Sequence, residues 1–461
     1  MTSLPGFTVD VDHNPYLPAG GRHVSAIVTV TADAAEGSPP PPRPGAAEGR
    51  AEIIIIDCSL SMALPGDEIV QAPTVTAALR LRLRRDAAGD GKIAQARSAT
   101  AAAVGVIRDG TWFAVIGGAG TARPVYPADG TMAIASERTR DEARRAVREL
   151  KVRSGTRMSE WLRLAYRTFQ SCPATLRHAI LLTDGQNMEP PQRLAAAIAQ
   201  CQGAFRCDCR GVGTGWQVSE LRTISAALLG SVDIVPDPAG LATEFEELVR
   251  GAMSKQLPDV LLRVWTPRQA TVQFVRQVAP AIDDLTVRRV PSGAQAGDYA
   301  TGAWGPGESR DYHVGIQVNA AGDGQEMLAA RISLIASSPG GQQVLGQGLV
   351  RVTWTEDEAL STRISRRVAH YTGQAELAEA IQDGLDASRR GDEETATARL
   401  GRAVALARQA GNDETTRLLS NVVDVVDEAT GTVRLRKKVQ AADEMALDTR
   451  SARTVPPRKG R

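Results

Sequence analysis

Asp57, Ser59 and Ser61 stand at alternate positions directly after the run Ile53-Ile54-Ile55-Ile56. An acid and two hydroxyls so spaced form a cluster of hard oxygens, which suits a hard divalent cation far better than a hydrophobic core. Two later stretches carry related chemistry. In Ser154-Gly155-Thr156-Arg157-Met158-Ser159 a glycine lets the backbone come close while Thr156 presents a hydroxyl. In Ile180-Leu181-Leu182-Thr183-Asp184-Gly185 an apolar run ends in an acid and a turn glycine. Each has a plain structural alternative when taken alone. Asp57, Ser59 or Thr156 could cap a helix, and Asp184-Gly185 is a common turn.

Other chemistries find little support. Gly211-Val-Gly-Thr-Gly215 puts Trp216 where a dinucleotide fingerprint needs its last glycine, and it follows the fifth strand, not the first. Gly91-Lys92 lacks the upstream glycine and the Ser/Thr of a phosphate loop. The five histidines (13, 23, 178, 313 and 370) are dispersed, and neither His-Glu-x-x-His nor Gly-x-Ser-x-Gly occurs. The five cysteines lack a disulfide or zinc spacing and read as buried reduced thiols. No catalytic constellation emerges, so the chain is expected not to be an enzyme.

The elements that must position these oxygens follow a strand–helix rhythm from 52 to 255, the pattern of a parallel sheet covered on both faces. Four β-branched residues in a row mark a central strand buried on both sides. Strands are expected at 53–57, 111–117, 131–135, 177–183, 206–212 and 232–235. Helices are expected near 92–108, 138–150, 158–170, 191–202, 217–229 and 239–254. The loop 64–91 is long for such a unit and carries the basic run 79–85, read as a solvated face.

The three oxygen-bearing segments, in this order and at this spacing, resemble the metal ion-dependent adhesion site of von Willebrand factor A domains. The resemblance covers roughly residues 52–255. It implies a doubly wound, Rossmann-like sheet of order 3-2-1-4-5-6, which makes 53–57 and 177–183 neighbours where the strand order reverses. Open α/β sheets bind ligands in the crevice at such a reversal, beyond the carboxyl ends of the strands. Carried over by residue, the resemblance gives Ser59 and Ser61 as direct hydroxyl ligands and Thr156 as a ligand directly or through water. Asp57 and Asp184 would hold metal-bound waters and accept from the hydroxyls. Neutral direct ligands leave the cation electron-poor, so an Asp or Glu of a protein partner can complete its octahedron. Magnesium or manganese fits such a set. Leu60 departs from the family's usual glycine, and Cys58 is unusual there; neither removes a ligand.

The flanks read differently. Residues 7–11 and 23–31 alternate apolar and polar, as half-buried strands do, and the Pro-rich stretch 36–51 follows as a stiff linker. After Pro258 the period is two, with strands expected at 260–266, 270–277, 284–290, 310–318, 326–336 and 345–354, and with turns such as 291–298. Two N-terminal strands cannot hold together alone in water. Residues 1–35 and 257–356 are therefore expected to form one antiparallel β-sandwich, with the metal-binding domain (52–256) inserted. Residues 357–430 are helical, with faces at Leu377, Ile381 and Leu385, at Leu400, Val404 and Ala407, and at Leu418, Val422 and Val425, which suits a three- or four-helix bundle. The end, 431–461, is read as a further helix and a basic, disordered tail from Ser451.

With 461 residues, a formal net charge of +1 and a pI near 7.7, the chain shows no global attraction for nucleic acid or anionic membrane. Neither a secretory signal nor a membrane-spanning run of about 20 apolar residues is visible, so a cytoplasmic place is expected. The expectation is a metal-dependent protein-interaction module, and the resemblance adds possible work beside an AAA+ ATPase. The rival is a metal-dependent phosphatase or hydrolase using Asp57 and Asp184, against which stand the hydroxyl-rich donor set and the lack of a nearby His or Lys. A scaffold with a purely structural metal is the third reading.

Overall fold

The structure is a computed structural model that describes residues 6–34, 49–63, 92–236, 238–338, 341–427, 429–455 and 457. The loop 64–91 with its basic run, linker residues 36–48 and tail residues 456 and 458–461 lie outside the described residues. The chain divides into two units, residues 39–258 and the combination of 1–38 with 259–461.

Three strands open the chain: β1 (Phe7–His13), β2 (Tyr16–Pro18) and β3 (His23–Ala32). The unit 39–258 then holds β4 (Arg50–Asp57), β5 (Trp112–Gly118), β6 (Arg123–Tyr126), β7 (Ala133–Ile134), β8 (Leu176–Thr183), β9 (Arg206–Val212) and β10 (Val232–Val235). Its helices are α1 (Lys92–Val106), α2 (Glu137–Arg148), α3 (Met158–Phe169), α4 (Pro191–Cys201), α5 (Val218–Ala227) and α6 (Leu241–Ser254). The sheet runs β10-β9-β8-β4-β5-β6, with β7 also on β5. The strands from β10 to β5 are parallel, and β4 lies between β8 and β5, which places the reversal at its carboxyl end.

Alternation splits β4 between two cores. Ile54 and Ile56 join Ile180, Leu182 and Val115 under α1, α2 and α6. Ile53, Ile55 and Asp57 share the opposite face with Gly118, the β5 partner of Asp57. A Cβ on Gly118 would lie 2.5 Å from the ring of Trp161 in α3, so that glycine makes room for the helix. The expected strand 131–135 shrinks to two residues. An unexpected strand, β6, pairs antiparallel with β5, so the sheet edge is not parallel. Arg50 and Ala51, read as linker, belong to β4 and pair with β8.

The other unit continues with β11 (Leu257–Trp265), β12 (Ala270–Ala279), β13 (Asp283–Asp284), β14 (Val290–Gly293), β15 (Ala296–Trp304), β16 (Ser309–Val318), β17 (Glu326–Ser338) and β18 (Gly341–Thr355). Two sheets form, β1-β3-β16-β12-β13 and β14-β15-β11-β17-β18-β2. The N-terminal β3 pairs with β16 over nine registered residues, from Thr31 opposite Ser309 to His23 opposite Gln317. The two sheets meet where the Phe7 ring stands edge-on to Trp304 at 5.6 Å and where Gly346 and Gly348 leave room for Val9 and Val11. The expected strand 284–290 is broken. Asp284 Oδ1 accepts the Thr286 N–H, a local turn that bends the chain into a short 3-10 segment. The expected turn 291–298 is instead the pairing of β14 with β15.

Helices α7 (Glu358–Ser361), α8 (Arg366–Arg389), α9 (Glu393–Ala410) and α10 (Asp413–Val422) follow, then β19 (Val423–Asp427), β20 (Thr432–Leu435) and α11 (Ala441–Arg450). Leu377, Ile381, Leu385, Leu400, Val404, Ala407 and Val422 bury together, with Leu418 and Val425 beside them. Asp392 and Asn412 cap α9 and α10 by accepting from Thr395 and Thr415 N–H. The region is not wholly helical, because Val423, Val425 and Val433 favour the hairpin β19–β20, turned at Gly431 with φ +69°. Residues 451–455, expected to be disordered, are held in place. Thr454 N–H donates to Pro280 O, its hydroxyl to Val278 O, and Val455 N–H to Gln374 Oε1.

Candidate metal centre

The site begins where β4 and β8 end side by side, with Ile56 opposite Leu182. Asp57 is fully buried. Its Oδ1 accepts the Ser59 N–H at 2.7 Å, and its Oδ2 accepts the Thr183 hydroxyl at 2.6 Å. The first bond is an Asx turn, which sends the chain sharply out of the strand into the 3-10 turn Leu60–Ala63. That turn brings the Ser59 and Ser61 hydroxyl oxygens to 2.7 Å. Cys58 points elsewhere, donating its thiol to Gly118 O.

Thr156 arrives from a loop that needs glycine. Gly155 has φ +83°, and a Cβ on it would meet Gly120 Cα at 3.1 Å, while Gly120 N–H donates to Ser154 O. Beyond it, Glu189 accepts the N–H and hydroxyl of Ser159, and Asn187 Oδ1 accepts the Met158 N–H, so the first turn of α3 is tied to the loop after β8. Met188 N–H donates to Thr156 O at 2.8 Å. A Cβ on Gly185 would lie 3.1 Å from Ser61 Oγ and 3.7 Å from Thr156 Oγ1. Both hydroxyls therefore reach the same small space beside Gly185.

Asp184 completes the group. Its side chain has no exposure, Oδ2 accepts from Lys92 Nζ at 3.1 Å, and Oδ1 is buried with no hydrogen-bond partner among the described residues. Burial raises the Asp184 carboxyl, against the pull of the Lys92 ammonium and the Ser61 hydroxyl. Burial, and then Asp184 itself, raise Asp57, while Thr183 and Ser59 oppose the rise. Two acids so close and so buried call for a cation.

All five residues singled out in the sequence, Asp57, Ser59, Ser61, Thr156 and Asp184, thus fall in one place. A divalent metal fits them, because a buried carboxylate oxygen lacks a partner and three hydroxyls surround the same space. Among the described residues no group of three or more His, Cys, Asp or Glu could hold a metal, so a thiolate–imidazole zinc site is not what this donor set offers. The five cysteines are free and buried. Two contributors escaped the sequence reading. Thr183 was visible as a hydroxyl beside the acid, whereas Lys92, some ninety residues from Asp184, carried no local signal. Its presence corrects the expectation that no lysine lies near.

A doubly wound sheet with oxygen-bearing loops gathered at its reversal defines a von Willebrand A-type α/β domain. Residues 89–234 match the family described as von Willebrand factor type A domain, and residues 405–451 match the von Willebrand factor type A C-terminal domain. A solved structure described as von Willebrand factor type A from Catenulispora acidiphila is 44% identical, with 98% of this chain and 97% of that one covered and a TM-score of 0.86. The chain belongs to the von Willebrand factor type A family. The ArnB paralog VWA2 from Sulfolobus acidocaldarius shares the fold at 13% identity, with 97% and 98% of the two chains covered and a TM-score of 0.56. None of the curated proteins matches. The domain match begins beyond Ser61, so the Asp57 loop stands on its geometry.

Proposed function

We propose that this chain is a divalent-metal-dependent protein-interaction module without enzymatic activity of its own. Ser59, Ser61 and Thr156 offer neutral oxygens to Mg2+ or Mn2+, and Asp57 and Asp184 supply the negative charge that retains it. The metal so held stays electron-poor and can take an Asp or Glu carboxylate from a protein partner. The observation that carries this reading is the buried Asp184 Oδ1, without a hydrogen-bond partner among the described residues, beside three hydroxyls from two loops. Domains of this family commonly mediate protein–protein contact, often through a bound divalent metal.

An architecture goes with the proposal: a metal-bearing domain inserted in a β-sandwich and followed by a helical bundle, which present the metal face or recruit a second partner. Among the described residues no helix is long and apolar enough to cross a membrane. The proposed setting is cytoplasmic, with neither nucleic acid nor lipid as partner, and an AAA+ ATPase is one partner class to probe. The test is affinity capture from native lysate with magnesium, repeated with EDTA and with the Ser59→Ala/Ser61→Ala variant. A partner lost in both controls supports metal-bridged recognition. A partner kept in both refutes it and moves recognition to the sheets or helices of the other unit.

A further inference from the structure

We propose that the Lys92 ammonium is a resident counter-cation of the metal centre, competing with the metal for Asp184 and so setting the metal concentration at which the site fills. The inference rests on the metal reading above and concerns how that site is regulated. Lys92 is the first residue of α1, and its Nζ sits 3.1 Å from Asp184 Oδ2, with side-chain exposures of only 13% and 0%. The helix behind it is fixed, since Ile93 and Ala96 are buried in the core under β4. The ammonium also lies against Gly213, where a Cβ would stand 3.4 Å from Nζ. Gly213 has φ +64°, a conformation that keeps this flank free of side chain.

The charge count makes the case. When both are ionised, Asp57 and Asp184 bring two negative charges into a buried space, and among the described residues Lys92 returns one. Without another cation the pair remains under-compensated by one charge. With a divalent metal and Lys92 together it becomes over-compensated by one. The ammonium therefore stabilises the form that lacks metal and repels the form that holds it. A positioning role fits less well. A flexible four-carbon stem tipped by a point charge is better at neutralising than at orienting. The remaining positive charge has a second effect: the filled site attracts an anionic group, in keeping with an acidic partner.

The experiment is calorimetric titration of the full chain with Mn2+, comparing wild type with Lys92→Met, Lys92→Arg and Asp184→Ala. Lys92→Met keeps the stem and removes the charge. It should tighten Mn2+ binding by about tenfold or more, as expected for removing a unit charge beside a divalent ion in a poorly solvated site. Lys92→Arg, which keeps the charge, should stay near wild type, and Asp184→Ala should lose binding. Thermal melting gives the second readout. In chelator Lys92→Met should melt below wild type, and saturating Mn2+ should raise its melting temperature by more than it raises that of wild type. Equal or weaker Mn2+ binding by a folded Lys92→Met, while wild type binds, overturns the Lys92 proposal alone. No binding by either protein overturns the metal reading, and this proposal falls with it.

Discussion

Raising the pH from 6.5 to 9 should cost the α/β unit about 3 kcal/mol, and replacing His178 should remove that cost. His178 lies in β8 with Glu52 of β4 on one side and Asp208 of β9 on the other, near the amino ends of the strands. Its Nδ1 is 2.8 and 3.0 Å from the Glu52 carboxylate oxygens, and its Nε2 is 2.8 Å from Asp208 Oδ2. Burial by itself lowers the imidazole, but the two carboxylates override it and raise His178 from 6.5 to about 9. Asp208, though burial pushes it up, is held well below the carboxylate range by His178 and nearby arginines. Glu52 stays raised because its burial outweighs the pull of His178. A cation raised in the folded state contributes fully below its unfolded pKa of 6.5, and the contribution is lost as pH climbs through about 9. At about 1.36 kcal/mol per unit, that interval is worth about 3 kcal/mol. The assay uses the cysteines. All five lie between residues 39 and 258 and are buried, so urea unfolding read by pulsed thiol alkylation and intact mass reports this unit alone. The stability gap between wild type and His178→Gln should shrink by about 3 kcal/mol between pH 6 and 9.5. Taking the gap cancels the contribution of Asp57, which persists in both proteins. A gap that stays constant, or widens with pH, refutes the reasoning.

Three further outcomes follow from particular contacts. Gly211→Ala would put a Cβ 1.8 Å from Trp216 Cε2 and displace an indole whose N–H donates to Gly213 O at 2.9 Å; the same alkylation assay should show a loss of about 2 kcal/mol. Ending the chain at Ser451 removes the Val455 and Thr454 hydrogen bonds and strips partners from the buried Gln374. Calorimetry should then show a lower melting temperature for the unit containing α8, by about 2–3 kcal/mol of stability, with thiol protection unchanged. Because Asp57 and Asp184 are both raised, protons compete with the metal as pH falls, so the apparent Mn2+ affinity should weaken steadily from pH 8 to 6.

The candidate site could be picked out locally because its chemistry is written into three short segments, two of which end a buried apolar strand while the third leads into α3. The run Ile53–Ile56 is buried to the last atom, and the strand it marks stops where the acid begins. Periodicity found the helices of the α/β unit to within a residue or two, since each buries one face on a sheet. Where the reading failed, the deciding contacts were distant or too short to leave a pattern. β6 is four half-buried residues held by pairing with β5, and β15 contains glycines that read as turn residues yet lies buried beside β11. The tail looked disordered because its composition is basic and Pro-rich, but Thr454 and Val455 find partners on β12 and α8. Lys92 belongs to the same class. Nothing in Gly91-Lys92 announces an ion pair with a carboxylate on another strand.

The sheet solves one electrostatic problem in two ways. At its amino end Glu52 and Asp208 are compensated by an imidazolium bonded to both, and Asp208 also accepts from the Ser231 N–H and hydroxyl. That arrangement is closed: every partner is a side chain or backbone group of this unit, and nothing needs to arrive. At the carboxyl end, among the described residues, the Asp57–Asp184 pair has one lysine, bonded to Asp184, and one Asp184 oxygen is left without a hydrogen-bond partner. A buried charge deficit of this kind destabilises the fold that carries it. Whatever cation fills it returns that free energy as binding, and the unit gains stability as RT ln(1 + [M]/Kd). The two ends should therefore answer differently to the same treatment. Chelator should lower the stability of wild type while leaving the pH-dependent gap between wild type and His178→Gln untouched, because the imidazolium and the metal compensate different acids. A chelator effect on that gap would mean that the two ends are coupled through the strands, and that the division of labour argued from their hydrogen bonds is wrong.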